Sequence, residues 1–214
     1  MRIISGRLKG RNIYAPVDIS ARPTTDFAKE GLFDVLNNRI DFEDIEVLDL
    51  FAGTGSIGFE FVSRGCRQVV SIENNPKQCL FIKKISEKFE IDNLILLKTD
   101  VFKYITHTAS RFDLIFADPP YQLENLKEIP DMIFSQQLLK TEGIFILEHS
   151  SKYNFSQHPH FMETRKYGRV HFTFFKAWKE PIFQKLPFFV FSSGRFSSDK
   201  NTERKDGKNK VKNR

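Results

Sequence analysis

The sequence predicts an α/β fold: an open, mainly parallel seven-stranded sheet with helices on both faces and an antiparallel hairpin at its end. Three observations carry this. Five short apolar runs recur along the central chain, at Glu46–Phe51, Gln68–Glu73, Leu94–Thr99, Phe112–Ala117 and Ile144–Glu148. Runs that are apolar without strict alternation fit strands buried on both faces. Stretches at helical spacing lie between them, and strand–helix alternation makes the strands parallel. Two further β-like runs, Phe161–Lys166 and Arg169–Trp178, flank Tyr167 and Gly168 and read as a hairpin.

From the N-terminus, Met1 to Tyr14 alternates weakly around Gly6 and Gly10, which predicts a β-hairpin of two short strands. Pro16 to Pro23 reads as loop. Thr24 or Thr25 then caps a helix with Asp26 in its first turn and Phe27, Leu32, Phe33 and Leu36 at near-helical spacing. Four more helices are expected, at Ile57–Arg64, Pro76–Phe89, Val101–Thr106 and Leu123–Leu139. Beyond the terminal hairpin, 181–191 is apolar and aromatic, whereas 192–214 is polar and cationic without period, the composition of a disordered segment. The expected division is a basic N-terminal extension at 1–23, a body at 24–180 and a tail at 181–214.

With 214 residues and 40% hydrophobic content, the chain is long enough for one domain with a sizeable core. No leader peptide is apparent, and no apolar run approaches the roughly 20 residues of a membrane span, so a monomeric cytoplasmic protein without membrane contact is expected. Cys66 and Cys79 are too few and too widely spaced for a zinc motif or a disulfide framework, and the five His show no ligand spacing; no metal is expected. Net charge is +6, yet residues 181–214 alone hold nine Lys or Arg against three acids. The rest balances, although positions 1–22 carry Arg2, Arg7, Lys9, Arg11 and Arg22 against Asp18 alone. Basic ends around a neutral body suit a polyanionic partner, and equally a solvated tail.

Open sheets bind ligands beyond the carboxyl ends of their strands. The first strand runs into DLFAGTGSIG, residues 49–58, whose Gly53, Gly55 and Gly58 satisfy G-x-G-x-x-G; glycines there let the backbone turn sharply against a ligand. Glu73 ends the second strand 18 residues after Gly55, where a carboxylate can accept both hydroxyls of a ribose. These features imply a nucleoside-bearing cofactor, and a dinucleotide would suit them too. Asp49, four residues before Gly53, would repel a pyrophosphate but favour a cation. Asp100, after the third strand, either caps the next helix or accepts a hydrogen bond from an adenine amine. Adenosine at one end and a sulfonium with an α-amino group at the other fit all of these positions, which describes S-adenosylmethionine. Phe51, Asn74 and Val101, beside these acids and glycines, complete the expected cofactor contacts.

The run DLFAGTGSIGFEFVSRG, then Glu73, then DPPY at 118–121 resembles class I (Rossmann-like) S-adenosylmethionine-dependent methyltransferases acting on exocyclic amines of nucleic-acid bases. RIISGRLKGR at 2–11, RPTTDFAKEGLF at 22–33 and the same DPPY together resemble the RsmD family. The likeness covers roughly residues 1–180, and Phe27 departs from it, standing where many members carry a base. It implies transfer of a methyl group to N2 of one guanine in 16S rRNA within an assembling small ribosomal subunit. FADPPY alone also occurs in adenine-N6 methyltransferases, and a non-catalytic RNA-binding assembly factor is the third reading.

On that resemblance FADPPY has a physical role. A guanine amine is a poor nucleophile, so its nitrogen must be held in line with the methyl group while charge develops. Asp118, which also closes the cofactor pocket, accepts one N–H, and the Pro119 carbonyl accepts the second. Pro119 and Pro120 stiffen the loop, and Tyr121 stacks on the base. Arg2, Arg7, Lys9 and Arg11 are expected near the cleft, gripping RNA phosphates. The resemblance adds Arg22 and Thr24 at the entry between cofactor and RNA.

Overall fold

A computed structural model describes residues 1–15 and 26–178. The described residues all fall in one compact unit. The expected tail at 181–214 and the 23/24 boundary lie outside the described residues. Residues 1–15 of the expected extension lie within that unit.

The elements are α1 (Asp26–Asn37), β1 (Glu46–Leu50), α2 (Ser56–Ser63), β2 (Gln68–Glu73), α3 (Pro76–Lys88), β3 (Leu94–Lys98), α4 (Val101–His107), β4 (Phe112–Ala117), α5 (Ile129–Ser135), β5 (Leu139–His149), β6 (Phe161–Tyr167) and β7 (Val170–Lys176). The strands form one sheet in the order β3-β2-β1-β4-β5-β7-β6, parallel from β3 to β5. β7 runs antiparallel to both β5 and β6, as the sequence predicts. Helix starts follow local chemistry: Asn75 caps α3 by accepting the Lys77 and Gln78 amides, with Pro76 in the first turn where a missing N–H costs nothing. Two cores result, one per face of the sheet, centred on Phe33, Phe59, Phe61, Phe116, Phe172 and Phe174 on one side and on Leu48, Ile115, Ile133, Phe145, Leu147 and Phe175 on the other.

Three expectations need correction. The single helix Leu123–Leu139 is instead a 3-10 turn at Glu124–Glu128 followed by the short α5. Pro130 lies in the first turn of α5, where its ring disfavours an uninterrupted helix through that point, and Gln137 at φ 53 ends the segment. β5 therefore begins at Leu139, well before Ile144, and its pairing with β4 carries an irregularity between Phe112 and Leu114. The N-terminal hairpin closes antiparallel, through one bridge between Arg2 and Asn12, but without regular strands, because its apolar residues alternate too weakly to form a ladder. Among the described residues no helix is long and apolar enough to cross a membrane, and no group of three or more His, Cys, Asp or Glu is arranged to hold a metal. Cys66 and Cys79 are free and buried, and burial pushes the Cys66 thiol up to about 12.

The N-terminal segment is held by α2. Ile3, Leu8 and Ile13 are fully buried. The Glu60 carboxylate accepts the amides of Ile4 and Ser5 at 2.9 and 3.0 Å, and Leu8 donates its amide to Ser63 Oγ at 3.0 Å. Gly6 has φ +78, and a Cβ there would fall 1.7 Å from the Ser63 carbonyl oxygen, so only glycine fits. Buried Lys29 on α1 donates to the Arg2 carbonyl at 2.7 Å, with its ammonium 3.8 Å from Glu60. Arg64 sits 3.0 Å from the other Glu60 oxygen. One carboxylate thus ties extension, α1 and α2 together.

Removing Glu60 strands two amides and a buried ammonium. Glu60→Ala is expected to lose about 3–5 kcal/mol in urea denaturation, the cost of breaking a buried pair from one side. A loss below about 1 kcal/mol would show that the clamp does not hold the fold.

Candidate active site

In this sheet β1 pairs with β2 on one side and β4 on the other, so the connections out of β1 and β4 leave in opposite directions and a crevice opens above their carboxyl ends. A cleft of about 1040 Å³ occupies that crevice. Nearly every catalytic or cofactor residue expected from sequence lines it. Asp49, Phe51 and Gly53 come from β1 and the loop after it, Glu73 and Asn74 from the end of β2, and Asp100 and Val101 from the connection after β3. Asp118, Pro119, Pro120 and Tyr121 form the corner after β4. Of the expected catalytic and cofactor residues, Gly55 alone is absent from the lining.

The glycine loop is shaped by strain and close approach. Phe51 has φ 60, a left-handed conformation that a bulky side chain adopts at some cost, and its ring meets Phe102 edge-on at 6.4 Å. Gly53 comes next but one, at φ 57, and its amide donates to Glu73 Oε2 at 2.8 Å. Gly55, at φ 78, is the N-cap of α2, and a Cβ there would press on the Phe59 ring at 2.8 Å. It turns the chain from one layer behind the cleft, which explains why it does not face a ligand. Gly58 has a third purpose: a Cβ would lie 2.9 Å from Ser71 Oγ and 3.0 Å from Asp49 Oδ2, so its absence lets α2 close over β1 and β2.

Carboxylates dominate the floor. Glu73 is buried and oriented by the Gly53 amide and, through Oε1, by the Asn75 amide at 2.7 Å. With its amide turned to satisfy both groups, Gln78 also donates to Glu73, at 2.9 and 3.1 Å. Asp49 is fully buried, and its Oδ2 has no hydrogen-bond partner of ordinary geometry. Burial raises the Asp49 carboxyl to about 7, and the Glu73 charge adds to the rise. Asp100 accepts the Lys103 amide at 2.9 Å, so it does cap α4, with one oxygen, while lining the cleft.

The proline corner continues directly from β4. Leu50 pairs with Ala117, so Asp118 emerges beside the start of the glycine loop, and its amide donates to the Leu50 carbonyl at 3.4 Å. The Pro120 carbonyl accepts the Leu123 amide at 2.8 Å, closing the turn. Among the described residues no backbone donor bonds to the carbonyl of buried Pro119. Tyr121 is 41% exposed, a ring at the mouth of the cleft. Burial raises the Asp118 carboxyl well above the usual range, with the charges of Glu148 and then Asp49 adding to it.

Glu148 is a residue that sequence reasoning missed. It is buried at the end of β5, where Leu147 pairs with Ala117, and it lines the cleft beside Asp118. It carries a readable signal, since it is a carboxylate ending an apolar run, as Glu73 is. Phe27, Tyr167 and Arg169 also line the cleft, none of them expected there from sequence. The bases of the N-terminal segment make contacts of their own outside the cleft lining. Arg2 pairs with Glu30 at 3.4 Å, the Arg7 amide donates to the Ser63 carbonyl at the end of α2 remote from the cleft, and Arg11 lies over the Phe89 ring just past α3. Neither these residues nor Lys9 lines the cleft; the segment is tied to α2 through Glu60 and Ser63, and its first residue meets the cleft rim, where Thr54 Oγ1 donates to Met1 Sδ at 3.7 Å. Arg22 and Thr24 lie outside the described residues.

Residues 1–176 match the family described as conserved hypothetical protein 95. The chain is 33% identical over 153 residues to the putative rRNA methyltransferase YlbH of Bacillus subtilis, across 70% of this chain and 82% of that protein. It is 30% identical over 154 residues to ribosomal RNA small subunit methyltransferase D of Buchnera aphidicola, across 72% and 78%. The solved structure of a putative methyltransferase, yhhF from Escherichia coli, superposes with TM-score 0.74 at 23% identity, covering 84% of this chain and 99% of that one. A T. thermophilus 16S rRNA N2 G1207 methyltransferase, solved with AdoMet and guanosine, gives TM-score 0.59 at 22% identity over 74% and 44%. The fold is that of class I S-adenosylmethionine-dependent methyltransferases. By the match across its sheet and cleft, the chain belongs to the RsmD family.

Proposed function

We propose that this protein transfers a methyl group from S-adenosylmethionine to the exocyclic N2 of a guanine in small-subunit rRNA, acting on an assembling particle. The observation that supports this best is the common cleft: the glycine loop after β1 and the Asp118–Tyr121 corner after β4 open onto the same space. Relatives named as small-subunit rRNA methyltransferases support the RNA substrate.

The residues present fit the cofactor. Asp49 is a buried carboxylate with an unpartnered oxygen, and with Glu73, Asp118 and Glu148 it makes a field that favours a cation. Glu73, fixed by backbone amides, would take the ribose hydroxyls; Asp100 and Val101 would border the adenine; Asp49 and Gly53 would hold the amino-acid end. When bound, the cofactor supplies an electrophilic methyl on a positively charged sulfur, whose bonding electrons leave with the sulfur as nitrogen attacks.

The chain's own work is positioning and proton management. Tyr121 holds the extruded base by stacking, which is worth ~1–3 kcal/mol at comparable sites. Asp118 and the Pro119 carbonyl accept the two N–H bonds and so orient the nitrogen lone pair. A cation beside Asp118 would oppose the burial and the neighbouring acidic charges that favour its protonated form, and so favour the carboxylate that accepts the N–H. The prolines contribute no N–H to compete for these acceptors. Arg2, Arg7, Lys9 and Arg11 are exposed bases of the N-terminal segment. Such a set suits phosphates of a particle larger than the target loop.

Labelled methyl transfer into small subunits from cells lacking this protein, followed by nucleoside analysis, tests the assignment. N2-methylguanosine is expected from the wild type, and Asp118→Ala should lower the rate at least ~100-fold while still binding the cofactor. Methyladenosine alone would reject the guanine target, and unchanged transfer by Asp118→Ala would reject the role of that residue. Wild-type protein that binds cofactor without transfer would favour an assembly factor.

Asp49 gives a second test. Its carboxyl holds a proton up to about 7 when folded but only to the ordinary 3.8 when unfolded. The folded state therefore binds more protons between those values, and cofactor-free stability should fall as pH rises from about 4 to about 7. Urea unfolding at pH 5 and pH 8 samples the upper part of that window, and Asp49→Asn should remove about 2–3 kcal/mol of the decline between them. Equal pH slopes for the two proteins would contradict the burial argument. Cofactor affinity of the wild type should instead rise with pH through about 7, because the ionised carboxylate favours a cation.

A further inference from the structure

We infer a second nucleotide subsite at the mouth of the cleft, formed by Phe27, Tyr167 and Arg169, which takes the nucleotide flanking the methylated base; it rests on the RNA-methylating function proposed for the cleft. Phe27 is 67% exposed on the first turn of α1, a large apolar ring left in water. It meets Tyr167 edge-on, with ring centroids 5.9 Å apart. Tyr167 is rigidly seated: its hydroxyl donates to the Gly31 carbonyl at 2.9 Å, and a Cβ on Gly31 would fall 2.0 Å from its ring. The helix therefore lacks a side chain where the ring lies, and the ring in turn backs Phe27.

Arg169 completes the site. It follows Gly168, at φ +63, in the turn between β6 and β7, and it lines the same cleft as Asp118 and Tyr121. It is exposed, and among the described residues no carboxylate pairs with it, whereas neighbouring Arg165 is bound by Glu163 at 2.9 Å. A held aromatic wall beside an uncompensated guanidinium matches a single-stranded nucleotide, base against ring and phosphate against cation. An apolar peptide would leave the guanidinium unused. The cleft is also roomy: about 1040 Å³ is at the upper limit of a site for one small ligand. Among the bases of the N-terminal segment, Arg7 lies at the far end of α2, Arg11 against Phe89 past the end of α3, and Arg2 is already paired with Glu30 at 3.4 Å.

The test uses the full-length protein and small subunits from cells lacking it, with KCl varied. Arg169→Gln should raise KM for the particle about tenfold and lower the slope of log KM against log salt by about 1, with kcat and cofactor affinity unchanged. Phe27→Leu should raise KM about tenfold, while Phe27→Trp keeps it near the wild-type value. KM values within about twofold of wild type for both Arg169→Gln and Phe27→Leu, at every salt concentration, would overturn the subsite. Should the wild type transfer no methyl group, the proposed function fails, and the same shifts in equilibrium binding to the same particles decide the subsite on its own.

Discussion

The parallel pairing of β1 with both β2 and β4 is the constraint on which the rest depends. A sheet covered on both faces leaves no room for a polar ligand except at the ends of its strands. Where neighbouring strands send their chains to opposite faces, the two connections must part, and the gap between them is bounded by backbone rather than side chains. Here the gap is bounded by a loop starting at Phe51 and a corner starting at Asp118, side by side because Leu50 and Ala117 are in register. Neither loop has to fold onto the other. The strands already hold their roots at one interstrand spacing, and both faces of apolar core fix that register, since a slip by one residue would turn every buried side chain to the other face.

That arrangement concentrates negative charge. Asp49, Glu73, Asp118 and Glu148 line one partly dry cleft, where burial first, and then the acidic neighbours, displaces the Asp49 and Asp118 carboxyls upward. A folded protein tolerates such a cluster only if the surrounding structure over-determines it. The Glu60 clamp, the closure of α2 through Gly58 and the amides gripping Glu73 supply that rigidity. The same cluster is unfavourable to a pyrophosphate and favourable to a sulfonium, so the electrostatic cost in the free protein becomes selectivity for the cofactor. The left-handed Phe51 and the glycines at 53 and 55 turn the loop sharply at the end of β1, which sets the Gly53 amide on Glu73 and leaves the cleft open.

Much of this is legible in the sequence because it rests on local rules. Apolar runs mark buried strands whatever their neighbours, and the acids and glycines at their ends fall in the cleft by topology alone. Features set by distant contacts are not legible. The helix expected at Leu123–Leu139 has the right composition, but Pro130 and the early start of β5 divide it. Gly55 belongs to the glycine pattern, yet its role is to face Phe59 and Ile82, which only the packed helices define. The extension's path along α2 depends on Glu60, 56 residues away from Ile4, so spacing does not place its basic residues. Tyr167 reaches the cleft only because Gly31, 136 residues earlier, leaves space for it. Glu148 satisfies the strand-end rule, but no motif surrounds it to draw attention to that carboxylate.

One cleft is proposed to bring the methyl donor to the proline corner. A crystal structure with S-adenosylhomocysteine tests it most directly. Ribose hydroxyls are expected on Glu73, with the thioether sulfur facing Asp118 and Tyr121 across a gap that one methyl group would fill. A sulfur directed away from that corner, or a ligand bound outside the β1–β4 crevice, would contradict it.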